Sequence, residues 1–208
     1  MDLAHIASRL RTHAWVDDAQ YGDAAGAPGA LLALTREGID TLCRQGRQRV
    51  VAALQAHVDA SGYAGDRLVF RLFDDMPTLF SAQQIDALLQ APLPCDALVD
   101  EEHERDGAWT LSLRIPLDLV YFPGHFPQAP VLPGAVQVAW ALSLASTRLG
   151  TPPRCHIMEA LKFQQLLRPG DRVELSFHHD PSRHKLHFAY RHGDKAYSSG
   201  RLAWSAAP

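Results

Sequence analysis

The sequence lacks several features that would place it in a specialised class of protein. Its three cysteines, Cys43, Cys95 and Cys155, are far apart and odd in number. They suggest neither a disulfide framework nor a zinc site and are typical of a reducing compartment. An excess of charge is also missing, because 20 basic and 23 acidic side chains leave a formal net charge of −3. This balance gives no electrostatic reason to expect nucleic acid as a partner.

Signals for export and membrane insertion are missing as well. The N-terminus has no basic start followed by an apolar run, as a secretory signal would have. No stretch reaches the roughly 18 consecutive apolar residues that a membrane-spanning helix needs. We therefore expect a cytoplasmic protein without a membrane span. With 208 residues, 47% apolar and 21% charged, the chain is long enough for one large or two small globular domains.

Residues 1–92 are predicted to form a small N-terminal α/β domain. Residues 22–30 (GDAAGAPGA) predict a flexible loop. Apolar residues spaced by three and four predict a helix between Thr35 and Gly62. A strand, a turn and a short helix with Ser81 as its N-cap are predicted to follow at residues 67–73, 74–77 and 81–90.

Residues 93–208 have a different pattern, and Pro92 and Pro94 mark the predicted boundary. Residues 135–149 predict a helix that is apolar on every side and therefore buried, with Trp140 in the core. Strands are predicted on both sides of it, at 108–117, 155–167, 171–179, 184–192 and 195–204. Together these elements predict an α+β domain in which an antiparallel sheet wraps round a central helix.

The segment YFPGHFPQAPVLPGAVQVAW, residues 121–140, carries the strongest chemical signal. Its prolines stiffen a loop that presents His125, a candidate general base. Pro133 and Gly134 then open the helix, where proline loses no hydrogen bond and glycine leaves backbone N–H groups accessible. Such a helix start carries partial positive charge and can stabilise an oxyanion.

These residues resemble the 3-hydroxyacyl-acyl-carrier-protein dehydratases, which have the hot-dog fold. The resemblance covers roughly residues 95–205. It rests on a GHFP segment, a Pro-Gly helix start, a Leu-Lys-Phe strand and a Pro-Gly-Asp turn, which match residues 124–127, 133–134, 161–163 and 169–171. The sequence around PVLPG and EALKFQ is similar to that of the branch of this family found in aryl-polyene and pigment pathways.

The resemblance implies a dehydration that yields a trans-2-enoyl thioester on the carrier protein. His125 would take the C2 proton and the Gly134 N–H would polarise the thioester carbonyl. It also implies a homodimer, or a heterodimer with another hot-dog subunit, in which each site draws its histidine and its acid from different subunits. No cofactor and no metal are implied.

One position departs from the family pattern. The family's acid lies fourteen residues after the histidine, and this chain has Ala139 there. A lost general acid typically costs about 10²–10⁴ in rate. The chain is then an impaired subunit paired with a competent dehydratase, or uses another acid, or carries an introduced change at 139. Glu159 is the nearest substitute in the sequence, and further candidates are Glu102, Glu104 and Asp118.

Other interpretations are weaker. A hot-dog thioesterase is an alternative that the GHFP motif disfavours. Residues 31–89 resemble the C-terminal subdomain of acyl-adenylating ligases, but the first lysine of the chain is Lys162, so a remnant used for docking is expected there. Five histidines near the last predicted hairpins lack acidic or cysteine partners at ligand spacing and predict no metal site: His178, His179, His184, His187 and His192.

Overall fold

The computed structural model describes residues 3–76 and 80–204, which form two compact units. The first contains the described residues up to Cys95 together with 116–130, and the second contains 96–115 and residues from 131 onward. These units differ from the predicted division at residue 92, because the segment 116–130, which carries His125, belongs to the first unit. None of the described helices is both long and apolar enough to cross a membrane.

The first unit combines three helices with a three-stranded sheet. Its elements are α1 (Leu3–Leu10), β1 (Val16–Ala24), β2 (Ala27–Leu34), α2 (Arg36–Asp59), β3 (Val69–Phe73) and α3 (Ala82–Gln90). Strand β2 is central, antiparallel to β1 and parallel to β3. Thr35 and Ser81 cap α2 and α3, and Ser81 forms a capping box with Gln84. Pro77, in the predicted turn, lies outside the described residues.

The prediction of a flexible loop over 22–30 is wrong. These residues end β1 and begin β2, and the turn between them has positive φ at Ala25 and Gly26. Residues 29–34 of β2 are all buried. A central strand that is buried on both faces shows a continuous apolar run instead of alternation, so its sequence resembles that of a loop rich in small residues.

The second unit is a six-stranded antiparallel sheet with one long helix. Its elements are β4 (Leu98–Arg105), β5 (Ala108–Arg114), α4 (Gly134–Leu149), β6 (Ile157–Phe163), β7 (Arg172–Asp180), β8 (Lys185–His192) and β9 (Lys195–Ala203). The strand order is β4-β5-β7-β8-β9-β6. The predicted α+β class and hot-dog arrangement are confirmed. Strand β4 has no counterpart among the predicted strands, because its residues are all exposed and mostly charged.

Helix α4 is anchored to the sheet by polar contacts. The Tyr190 hydroxyl donates to the Gln137 carbonyl oxygen at 2.8 Å, and Ser198 Oγ donates to Gln137 Oε1 at 2.6 Å. The helix therefore lies on the sheet face that carries Tyr190 and Ser198. Trp140 is buried as predicted. Burial on every side is wrong, however, because the residues at 135, 139, 143 and 147 form an exposed stripe.

Candidate active site

His125 lies at the end of a single turn of 3-10 helix, Phe122–Gly124. Its backbone N–H donates to the Phe122 carbonyl oxygen at 3.3 Å, and its ring contacts the Phe126 ring edge to face, with centroids 4.6 Å apart. Phe122 is buried, whereas Phe126 is exposed and has a φ of 57°. The turn thus anchors one side of the loop and leaves the half-buried imidazole at its surface.

The start of α4 has a glycine that lets the Phe163 ring approach its backbone closely. Pro133 is the N-cap, and its carbonyl oxygen accepts from the N–H groups of Val136 and Gln137. The N–H groups of Gly134 and Ala135 have no acceptor among the residues that the structure describes. A Cβ at Gly134 would lie 2.7 Å from atoms of the Phe163 ring. Glycine is therefore required for this aromatic ring to cover the helix start.

Ala139 lies in the second turn of α4, within the exposed stripe. Its neighbours at helical spacing on this stripe are Ala135, Ser143 and Thr147, none of which has a carboxyl group. The exposed stripe of the helix therefore carries no carboxyl group at the position of the family's acid or at these neighbours.

Glu159 lies on the other side of the sheet. Its carboxylate accepts from Lys185 Nζ at 2.8 and 2.9 Å, and Arg201 Nε lies 3.4 Å away. Lys185 and Arg201 alternate with buried residues that face α4, so both point away from the helix. The hydrogen bond from Lys185 and the two positive charges lower the pKa of Glu159. Its place and its ionised state therefore both argue against a role as proton donor.

The other acidic candidates are held in separate contacts. Asp118 is buried and accepts from Arg47 Nε at 2.5 Å. Glu102 pairs with Arg148, whose Nε lies 3.0 Å from Glu102 Oε2. Glu104 accepts from the Gly107 N–H in the β4–β5 turn. Each of these carboxylates thus already has a hydrogen-bond partner within its own unit.

Two polar residues of the second unit have contacts that reasoning from the sequence did not predict. Gln137 is a buried polar residue whose side chain also donates to the Leu132 carbonyl oxygen at 3.2 Å, so it fixes the start of α4 from within. The sequence signal that could have indicated these contacts is a single glutamine within an apolar helix. Asp171 accepts from the Arg168 N–H at 2.8 Å, and burial raises its pKa. The Pro-Gly-Asp motif predicts that Asp171 lies in a turn, but the burial of Asp171 depends on tertiary packing.

The histidines near the C-terminus do not form a ligand set. His178 and His187 stack with centroids 4.6 Å apart, on the sheet face away from α4. Burial, His178 and Arg201 together lower the pKa of His187. Within residues 3–76 and 80–204, no group of three or more histidine, cysteine or acidic side chains is placed to hold a metal ion.

Comparison with known proteins gives consistent matches. Residues 100–201 match the ApeI-like family model, which is described as ApeI dehydratase. The chain is 31% identical over 144 residues to the 3-hydroxyacyl-[acyl-carrier-protein] dehydratase FabZ of Oleidesulfovibrio alaskensis, covering 64% of this chain and 91% of that protein. The FabZ of Brucella melitensis is 34% identical over 115 residues, covering 49% of this chain and 73% of that protein.

Among solved structures, a similar chain belongs to the dehydratase heterocomplex ApeI:P from Xenorhabdus doucetiae. It is 29% identical, with a TM-score of 0.49, and the match covers 52% of this chain and 96% of that one.

Proposed function

This chain belongs to the FabZ family of dehydratases, and we propose that it removes water from a 3-hydroxyacyl thioester carried on acyl carrier protein. The product is the trans-2-enoyl thioester, which makes the protein a hydro-lyase of fatty-acid or polyene biosynthesis. The observation that carries the proposal is the GHFP loop bearing His125, in a chain that covers 91% of a named dehydratase at 31% identity.

His125 is the proposed base. A neutral imidazole accepts the C2 proton of the substrate, and the electron pair of the broken C–H bond moves toward the thioester carbonyl. The loop supports this role, because the turn at 122–124 and its prolines limit the positions that the ring can take. His125 is half-buried, so part of the residue is accessible at the surface.

Gly134 is the proposed carbonyl-binding residue. Its backbone N–H and that of Ala135 stand at the positive end of α4 and have no acceptor in the described part of the chain. Donors already fixed in place stabilise the negative charge that develops on the carbonyl oxygen, because they need no reorganisation during the reaction.

The departure of the 3-hydroxyl completes the reaction. The C3–O bond breaks, the C2–C3 double bond forms, and the leaving oxygen takes a proton to become water. Ala139 cannot donate that proton, and the contacts of Glu159 disfavour it as a substitute. This favours a second candidate function, in which the chain is an impaired subunit that pairs with a competent hot-dog dehydratase and receives the acid from it.

Deuterium exchange separates the two candidates. Exchange at C2 of a 3-hydroxyacyl thioester in heavy water requires the base and the carbonyl-binding N–H groups, whereas water loss also requires the acid. Both are followed by mass on the same carrier-protein substrate. His125→Ala removes the base, and His103→Ala, an exposed histidine of β4, is the matched control.

Water loss that depends on His125 supports the dehydratase proposal. His125-dependent exchange without water loss supports the impaired subunit, and water loss should then appear on addition of a competent partner. If His125→Ala has the same exchange and water loss as the unchanged protein, His125 is not the base and the proposal fails.

A further inference from the structure

Two contacts join the segment 116–130 to α2, in addition to the packing of Leu117 in the core of the first unit and the hydrogen bond from the Val120 N–H to the Pro94 carbonyl oxygen. At the first, Asp118 accepts from Arg47 Nε at 2.5 Å and Nη2 at 3.2 Å, and from the Leu72 N–H at 2.9 Å. Arg47 Nη2 also donates to the Phe70 carbonyl oxygen at 2.7 Å. Because the Asp118 carboxylate is buried, these bonds are shielded from water and tie the segment to α2 and β3.

The second attachment is a direct approach of two backbones. Gly46 interrupts α2 with φ of 78° and ψ of 167°, a conformation that is essentially restricted to glycine. A Cβ there would collide with the Pro127 carbonyl oxygen, and it would lie 2.8 Å from the Pro127 carbonyl carbon and 3.1 Å from Gln128 Cα. The missing side chain therefore lets α2 touch the loop two residues after His125.

The space between the two attachments is not filled. A cavity of about 210 Å³ lies there, lined by Leu42 and Arg47 of α2 and by Leu119, Phe122 and Pro127 of the segment, among others. The loop therefore does not rest on α2 along its whole length. The two attachments border this cavity, and His125 lies between them in the sequence.

We infer that Gly46 and Arg47 are positioning residues for His125, so that the N-terminal α/β residues set the place of the proposed base. The inference rests on the proposed function, since it assigns the N-terminal residues a role in catalysis through His125. Displacement of a reacting group by about 1 Å can cost about 10²-fold in rate. Because a cavity lies between the two attachments, the loop has room for such a displacement when either attachment is removed.

Gly46→Ala tests the backbone contact, and Gly26→Ala is its matched control. Both glycines have positive φ, but a Cβ at Gly26 meets no atom within 4 Å. We expect Gly46→Ala to lower kcat by about 10–100-fold with little change in KM, because the substrate-binding surface is kept while the base moves. Gly26→Ala should keep kcat and KM.

A second measurement does not depend on turnover. The pH titration of the His125 ring is followed by NMR and assigned from the signal that disappears in His125→Ala. A displaced loop changes the surroundings of the ring, so the His125 signal and its titration should shift in Gly46→Ala and remain in place in Gly26→Ala.

Arg47 provides an independent pair of variants if Gly46→Ala does not fold. Arg47→Met removes the bonds to Asp118, and Arg47→Lys keeps the charge but not the paired donors. Arg44→Met, an exposed arginine of the same helix, is the control. We expect the loss of kcat and the shift of the His125 signal to be larger for Met than for Lys and absent in the control.

The outcomes distinguish the inference from the function on which it rests. If the unchanged protein shows neither water loss nor C2 exchange, alone or with a competent partner, the proposed function fails, and the His125 signal still reports whether Gly46 and Arg47 position the ring. If the unchanged protein is active while folded Gly46→Ala and Arg47→Met keep its kcat and its His125 titration, the inference is overturned.

Discussion

Restoring a carboxyl at position 139 tests whether its absence limits the reaction. Ala139 is exposed on α4, so Ala139→Asp and Ala139→Glu need no space in the core. The cost to the helix is at most about 0.7 kcal/mol relative to alanine. A recovered general acid is worth about 10²–10⁴ in rate, or about 2.7–5.4 kcal/mol of activation barrier. The expected decrease in the activation free energy for water loss is therefore several times larger than the expected decrease in the free energy of unfolding.

The assay is single-turnover water loss from a 3-hydroxyacyl carrier protein, followed by mass, with urea unfolding to establish that each variant folds. Ser143→Glu places the same charge one turn further along the same exposed stripe and should give no gain. Aspartate and glutamate at position 139 differ in length by one methylene group, so the two variants place the carboxyl group at two distances from the helix. If both variants fold and neither loses water faster than the unchanged protein, the absence of this carboxyl is not what limits the chain.

Three further predictions concern the second unit. Gln137→Leu should destabilise it by about 1–3 kcal/mol in urea unfolding, because Ser198 Oγ loses a buried acceptor; an unchanged midpoint would contradict the anchoring role. Gly134→Ala should lower C2 exchange by up to about 10²-fold, because the Phe163 ring must move at the helix start; full exchange would argue against Gly134. Burial lowers the pKa of His187, so the unfolded chain binds protons more readily, and stability should fall as the pH drops below about 6.5. His187→Asn should reduce that fall in urea titrations at neutral and acidic pH, and an equal fall in both proteins would refute the assignment.

Local signals in the sequence were sufficient for much of the fold. Thr35 and Ser81 precede apolar helical periodicity, and both cap helices in the structure. The last hairpins follow from alternation and from turn residues such as Gly193, which has a φ of 55°. These features depend on interactions within a few residues, so the sequence displays them directly. The GHFP and Pro-Gly motifs are equally local, and they were sufficient to indicate the family.

Other features have no local signature. The central strand β2 lacks alternation because tertiary packing covers both of its faces, and β4 lacks it because neither face is buried. The exposed stripe of α4 was missed because two of its four residues, Ala135 and Ala139, have the same hydropathy as the buried alanines at 141 and 145. In each case the pattern records burial, and burial is decided by which elements pack together.

The sequence by itself determined the family, the helix starts and the residues worth testing as base and carbonyl donor. Only the tertiary structure decided what surrounds them. Folding places Glu159 beside Lys185, on the face of the sheet away from α4, and no spacing in the sequence predicts this contact. The Arg47–Asp118 pair joins residues 71 positions apart, and Gly46 meets Pro127 only because the chain returns to α2. Contacts at such separations leave no periodicity in the sequence, since they form only when the whole unit is packed.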